Sequence, residues 1–161
     1  MGITAIGVDV GLTGAIAKVQ GADLECWDMP ILSVKNKRWV NAVLLAALLK
    51  GIRTPNSMVF VEQVSARPGQ GVTSMFRFGE SFGLVKGVCA GIGLPLTLVT
   101  PQEWRRGMRV PTGKDGSRQR ILELQPELAK RFARKKDHGR ADAMLIALHG
   151  KMQCSSTDTR N

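Results

Sequence analysis

The sequence predicts an α/β fold, a mixed five-stranded sheet flanked by helices, on three observations. Short apolar runs rich in β-branched residues and separated by glycine-containing turns open the chain. Two more such runs occur in the middle, each followed by a stretch of helical character. The last third is helical in pattern, with proline and serine at the starts. With 161 residues, 43% of them apolar, the chain fits one domain that can bury a core without disulfide or metal staples. Residues 1–152 are expected to form that domain, and 153–161 a polar tail that frays.

The run from Ile3 to Asp9 is a strand, and after a turn at Gly11, Thr13 and Gly14 the run Ala15–Val19 pairs with it antiparallel. Leu24–Asp28 adds a third strand after the turn at Gly21, and Pro30 closes the meander. Arg38–Lys50, rich in Ala and Leu and ending at Gly51, predicts a helix with a glycine just past its end. Ser57–Glu62 is apolar up to its final carboxylate, the pattern of a central strand. A loop from Ser65 to Thr73 leads to a helix over Ser74–Gly91. In that helix Gly79, Gly83, Gly87 and Gly91 share one face, which predicts either close packing on the sheet or a contact between subunits. Leu96–Val99 is the fifth strand, and Pro101–Arg106 a short proline-started helix. A basic loop, Arg109–Gly116, precedes a helix capped by Ser117 and running to Gln125. A further helix spans Pro126–Arg134, and an amphipathic one Ala141–Lys151.

Twenty-three basic residues against 13 acidic ones give a net charge of +10, which points to a polyanionic partner, nucleic acid before an anionic membrane surface. The charge is concentrated. Between Arg105 and Lys136 eleven basic residues stand against three acidic ones, so eight of the ten net charges lie in one fifth of the chain. The three cysteines, Cys26, Cys89 and Cys154, are far apart and in no metal-binding spacing. No signal peptide is expected, and the uncharged stretch Gly87–Gln102 falls short of the ~20 residues of a membrane helix. The expectation is a soluble protein of a reducing compartment, with no membrane partner and no small-molecule substrate.

Three carboxylates stand out because they occupy apolar settings. Asp9 and Glu62 end strands, where an ionised group is costly unless paired or bound to a cation. If the two strands are neighbours, both acids emerge at one edge of the sheet. Asp142 opens the apolar face of the last helix, with His138 four residues earlier on the same face if the helix extends that far. Singly, Asp9 could begin a turn, Glu62 could pair with an arginine, and Asp142 could be a helix-start acid. Together they form a hard, oxygen-rich set suited to Mg²⁺ or Mn²⁺. In a basic protein that set points to two-metal phosphodiester hydrolysis. His138 could equally hydrogen-bond locally, Asp137 should point elsewhere, and His149 reads as a helix C-terminal residue.

The first strand (IGVDVGLTGAIA), the fourth (VFVEQV) and the terminal ADAMLIAL carry these acids in an order that resembles the RuvC-type Holliday junction resolvases of the ribonuclease H-like superfamily. The run KKDHGRADAMLIA with KDGSR at Lys114–Arg118 is similar to the chloroplast branch of that family and its bacterial and phage relatives. The resemblance covers nearly the whole chain. It implies a ribonuclease H-like fold and a metal-dependent endonuclease, acting as a homodimer that nicks symmetry-related strands of a four-way DNA junction. It further implies that Asp9, Glu62, His138 and Asp142 hold two Mg²⁺ ions per site, with Mn²⁺ able to substitute, and that Lys114 lies near the scissile phosphate. Two departures stand. Gly11 occupies a position where the chloroplast form has a further acid, and Asp142 one where it has Glu, a shorter ligand of the same chemistry.

The expected DNA contacts fall in two groups. Arg67, Gln70, Met75, Phe76, Arg77 and Phe78 combine cations with groups able to wedge or stack on opened bases, although Phe76 and Phe78 could instead begin a core face. Arg105, Arg106, Arg109, Lys114, Arg118, Lys135, Lys136 and Arg140 would line the path to the acids. The glycine face is the expected dimer contact, and the cytoplasm of a bacterial or phage-infected cell the expected setting. A two-domain actin-like ATPase is excluded by length. A ribonuclease H acting on RNA–DNA hybrid and a non-catalytic junction-binding protein are the competing readings.

Overall fold

The computed structural model describes residues 2–63, 65 and 68–158. Strands β1 (Thr4–Asp9), β2 (Ala15–Gln20), β3 (Asp23–Asp28), β6 (Ser57–Glu62) and β7 (Leu96–Val99) make one five-stranded sheet in the order β3-β2-β1-β6-β7. β1 is antiparallel to β2 and parallel to β6, so the sheet is mixed, as expected. Helices α1 (Ala42–Ile52) and α2 (Val72–Gly91) cover one face. Helices α3 (Pro101–Gly107), α4 (Gly116–Leu124) and α5 (His138–Asp158) cover the other.

Strand alternation decides which face each residue serves. Ile6 and Val8 of β1, with Val59 and Val61 of β6, pack with Leu45, Leu49, Val85 and Cys89 under α1 and α2. Ala5 and Phe60 face the opposite way, into the cluster with Trp104, Met144 and Leu145. Asp9 and Glu62 follow in the same alternation, which turns both toward the α5 side. Gly7 is required here, because a β-carbon on it would run into the Ala143 carbonyl of α5. α5 thus lies directly on β1.

Several expected elements differ. β4 (Ile31–Val34) and β5 (Lys37–Val40) form a separate hairpin where the sequence pattern placed the start of a helix at Arg38. The helix α1 starts later because Asn41 caps it, its side chain accepting from Leu44 N at 3.1 Å, and it runs through Gly51 rather than stopping before it. α2 begins at Val72, before the expected Ser74. Asp115, not Ser117, sits at the start of α4. Pro126–Arg131 is a 3-10 segment rather than an α-helix to Arg134, and a second such turn spans Lys135–Asp137. α5 starts at His138 and continues to Asp158, so the helix reaches into residues 153–158. No helix of the described residues is long and apolar enough to cross a membrane.

The glycine face of α2 does not pack on the sheet. Ser81, Val85 and Cys89 make the buried stripe, and a β-carbon placed on Gly79, Gly83, Gly87 or Gly91 would meet nothing within 4 Å. The small residues therefore leave an open surface, which removes the packing alternative.

Candidate active site at one edge of the sheet

β1 and β6 run parallel with Val8 beside Val61, so the residues that follow, Asp9 and Glu62, end neighbouring strands at the same edge. α5 begins at that edge too. A β-carbon on Gly139, in its first turn, would press on the Thr13 carbonyl and lie 3.1 Å from Asp9 Oδ2. Only a residue without a side chain lets the helix approach the first carboxylate so closely. One turn further along, Asp142 joins the other two.

Asp9 senses the other two acids. Burial, and then the negative charges of Asp142 and Glu62, push the Asp9 carboxyl well above the usual carboxylate range. Burial also raises Asp142, opposed by the nearby Ser117 hydroxyl and by the Arg105 and His138 side chains. Asp142 Oδ1 is buried without a hydrogen-bond partner. Glu62 Oε1 accepts a 3.0 Å hydrogen bond from Trp104 Nε1. Among the described residues, no three His, Cys, Asp or Glu side chains come together closely enough to hold a metal ion as they stand. The donor set nevertheless fits a hard divalent cation. It is all oxygen, it contains an orphaned buried carboxylate oxygen, and its like charges oppose ionisation until a cation offsets them.

The remaining expected site residues divide. His138 opens α5 with an exposed side chain close enough to act on Asp142. Lys114 is exposed on the loop before α4, three positions ahead of the buried Ser117. Arg105 lies over the Trp104 ring at 5.1 Å, and its charge favours the ionised form of Asp142. Arg106, Arg109, Lys135 and Lys136 are exposed as expected of DNA contacts.

Arg118 and Arg140 are corrections. Arg118 donates to the carbonyls of Phe132 and Ala133 at 2.9 and 2.7 Å and pairs with Asp115, so it pins the segment after α4 instead of facing solvent. Arg140 makes a bidentate pair with Asp28 at 2.6 and 2.7 Å, which holds the Asp28 carboxyl below its usual range and ties α5 to the end of β3. In the group from Arg67 to Phe78, Phe78 packs beneath Gly11 and belongs to the core, whereas Phe76 is 74% exposed. Arg77 lies over the Trp39 ring at 5.8 Å. Met75 is half-buried, Gln70 is exposed, and Arg67 lies outside the described residues. Asp137 turns away to Arg134, as expected. His149 is not a helix-end residue but a buried one within α5, set against Gly107.

Two residues of the site escaped sequence reasoning. Trp104 reads as an apolar helix residue, and the only hint is that a buried indole N–H needs an acceptor. Ser117 reads as a cap, yet it is buried and lies near enough to Asp142 to oppose the rise of its carboxyl.

No family model matches the chain. A 145-residue alignment relates it, at 28% identity, to the chloroplastic Holliday junction resolvase MOC1 of Chlamydomonas reinhardtii, covering 75% of this chain and 16% of that protein's length. Among solved structures, Thermus thermophilus RuvC in complex with a Holliday junction substrate matches with a TM-score of 0.63 at 16% identity, over 91% of each chain. A second structure of RuvC from Thermus thermophilus matches with a TM-score of 0.59 at 17% identity, over 96% of this chain and 98% of the other. The chain therefore has the ribonuclease H-like fold of RuvC, and it is similar in sequence to a Holliday junction resolvase.

Proposed function

We propose that the chain is an endonuclease that resolves four-way DNA junctions by paired, symmetric nicks, acting as a homodimer. The observation that carries this reading is the meeting of Asp9, Glu62 and Asp142 at one sheet edge of a RuvC fold, in a protein of charge +10. Asp9, Glu62 and Asp142 would hold divalent cations, Mg²⁺ or Mn²⁺ and two per site, with His138 at the rim. When bound, those ions supply an activated water and neutralise the leaving oxygen.

The chain's own groups prepare that chemistry. Trp104 fixes the Glu62 carboxylate through Oε1. Ser117 lies close to Asp142, while Asp142 Oδ1 is left without a protein donor. Arg105 supplies positive charge near Asp142, and Lys114, exposed on its loop, would meet the phosphate at which charge develops. The open glycine face of α2 is the proposed contact between the two copies, which would present two sites to a two-fold junction.

The test incubates the protein with a four-way junction, a linear duplex and an RNA–DNA hybrid in Mg²⁺, Mn²⁺ or EDTA. Paired nicks in the junction alone, abolished by EDTA, are expected. Asp9→Asn, Glu62→Gln and Asp142→Asn should each bind the junction and not cut it. Preferred cutting of the hybrid would make the protein a ribonuclease H, and binding with no cutting of anything a junction-binding module.

A further inference from the structure

The β4–β5 hairpin is a two-stranded sheet of its own and plays no part in the site just described. Its place in the fold is informative. Asp28, at the end of β3, pairs with Ala15, and Ala15 pairs with Asp9, so β3 ends at the edge that holds the carboxylates. The hairpin leaves the sheet there, immediately after Asp28, Met29 and Pro30.

Its root is fixed. Met29 N donates to the Gly14 carbonyl at 3.0 Å and Asn41 N to the Pro30 carbonyl at 2.8 Å, and Met29 and Val40 are buried. Trp39 is covered by the Arg77 guanidinium. Beyond the root, residues 32–38 are all exposed. From Ile31 to Val40 the hairpin carries Lys35, Lys37 and Arg38 and no acidic residue.

The turn is the second observation. Val34 pairs with Lys37, leaving Lys35 and Asn36 as a two-residue loop with φ of 46° and 62°. Such a turn needs left-handed backbone at both positions, which suits Asn or Gly and not a lysine. A long cation is thus held at the tip against local backbone preference, and strain of that kind concentrates where a function fixes the residue. A two-stranded ribbon also has the width to enter the major groove of a duplex, and lysines at its tip match phosphates on either side.

We propose that this hairpin is a second DNA contact, holding the duplex arm that leads to the carboxylate edge through Lys35 and Lys37. The proposal rests on the reading of the substrate as branched DNA and adds the arm as a recognised part of it.

The test compares the parent with a Lys35→Asn, Lys37→Gln double variant. Asn is at ease in the left-handed turn, so the variant should melt no lower than the parent, which separates lost binding from lost folding. On a junction with long arms the variant should bind about tenfold more weakly, with the slope of log affinity against log salt smaller by about 1 to 2. On a junction whose arms are trimmed to a few base pairs, the two proteins should bind alike. An unchanged salt slope with long arms overturns the proposal, as does an equal loss on both junctions. Loss of self-association with DNA binding intact also overturns it, and assigns the hairpin to a second copy of the chain. If the parent cuts no junction while the arm-dependent effect appears, the resolvase reading fails and the hairpin contact stands. If the parent cuts and the effect is missing, only the hairpin contact fails.

Discussion

Trp104 Nε1 donates to Glu62 Oε1 at 3.0 Å, joining the first turns of α3 to the last residue of β6. The indole is fully buried, so the bond is held in place by packing and in turn holds one oxygen of the carboxylate. Its role is positional, since the fully buried ring offers no surface to a ligand.

Replacing Trp104 with Phe keeps most of the packing and removes the donor. A hydrogen bond to a charged group contributes about 1.5–3 kcal/mol, so cleavage should slow about tenfold or more, with junction affinity unchanged. The discriminating measurement is the metal titration of cleavage. Trp104→Phe should need more Mn²⁺ to reach half its maximal rate, whereas Leu49→Val, a core change under α1, should lower stability and leave that midpoint in place. An unmoved midpoint in Trp104→Phe would reduce the tryptophan to a packing residue.

The pH dependence of stability contains two opposed contributions. Hydrogen bonds from Arg134 hold the buried Asp137 carboxyl below the ordinary range, and Arg140 does the same to Asp28. A depressed carboxylate stabilises the fold above the unfolded value of about 3.9, and that contribution is lost as pH falls through the folded value. Asp9 and Asp142 are raised, so their contribution is present below about 4 and is lost as pH climbs through their folded values. Metal-free protein should therefore lose stability on both sides of an acidic optimum. Thermal melts across pH should show the alkaline-side decline flattened in Asp9→Asn and the acid-side decline flattened in Asp137→Asn. A divalent cation should raise the melting temperature more at pH 7 than at pH 5, because its ligands must be ionised.

How far the site could be read in advance follows from how each part is encoded. The five strands of the main sheet and the two strand-end acids are local signals, an apolar run closed by a carboxylate, and the sheet brings the acids together through the parallel β1–β6 pairing. The hairpin was hidden because its turn, Lys35-Asn36, lacks the glycine that marks such turns, and because Trp39 and Val40 adjoin a strongly helical stretch. The basic segment misled for a different reason. Charge counts do not distinguish an arginine facing solvent from one whose guanidinium satisfies backbone carbonyls. Arg118, Arg120 and Arg131 all donate to carbonyl oxygens, of Phe132, Met108 and Leu24. They secure a segment with little regular structure of its own.

Gly83 lies mid-helix in α2, where an added methyl would touch nothing within 4 Å of the single chain. Gly83→Ala should therefore stabilise the isolated chain by about 0.5–1 kcal/mol, through the helix preference of alanine. If the glycine face is where two copies meet, the same methyl intrudes on the approach of the second backbone and weakens the dimer. Melting temperature at low concentration should rise while sedimentation equilibrium shows weaker self-association. A rise in both would place the dimer contact elsewhere.

Lys114 and Arg118 lie four residues apart in the KDGSR run and should fail differently. Lys114 is exposed on the loop before α4, whereas Arg118 is committed to two backbone carbonyls and Asp115. Lys114→Ala should leave the melting temperature within error and slow single-turnover cleavage at saturating protein by more than it weakens junction binding. Arg118→Gln removes donors from two carbonyls and should destabilise the chain by about 1–3 kcal/mol. Its cleavage per folded molecule should stay near that of the parent. The salt dependence of junction binding separates the two roles again, because only a side chain that displaces counterions from DNA changes that slope. An Arg118→Gln variant with parental stability and a reduced slope would return Arg118 to the DNA surface, and equal losses of binding and cleavage in Lys114→Ala would make Lys114 an ordinary phosphate contact.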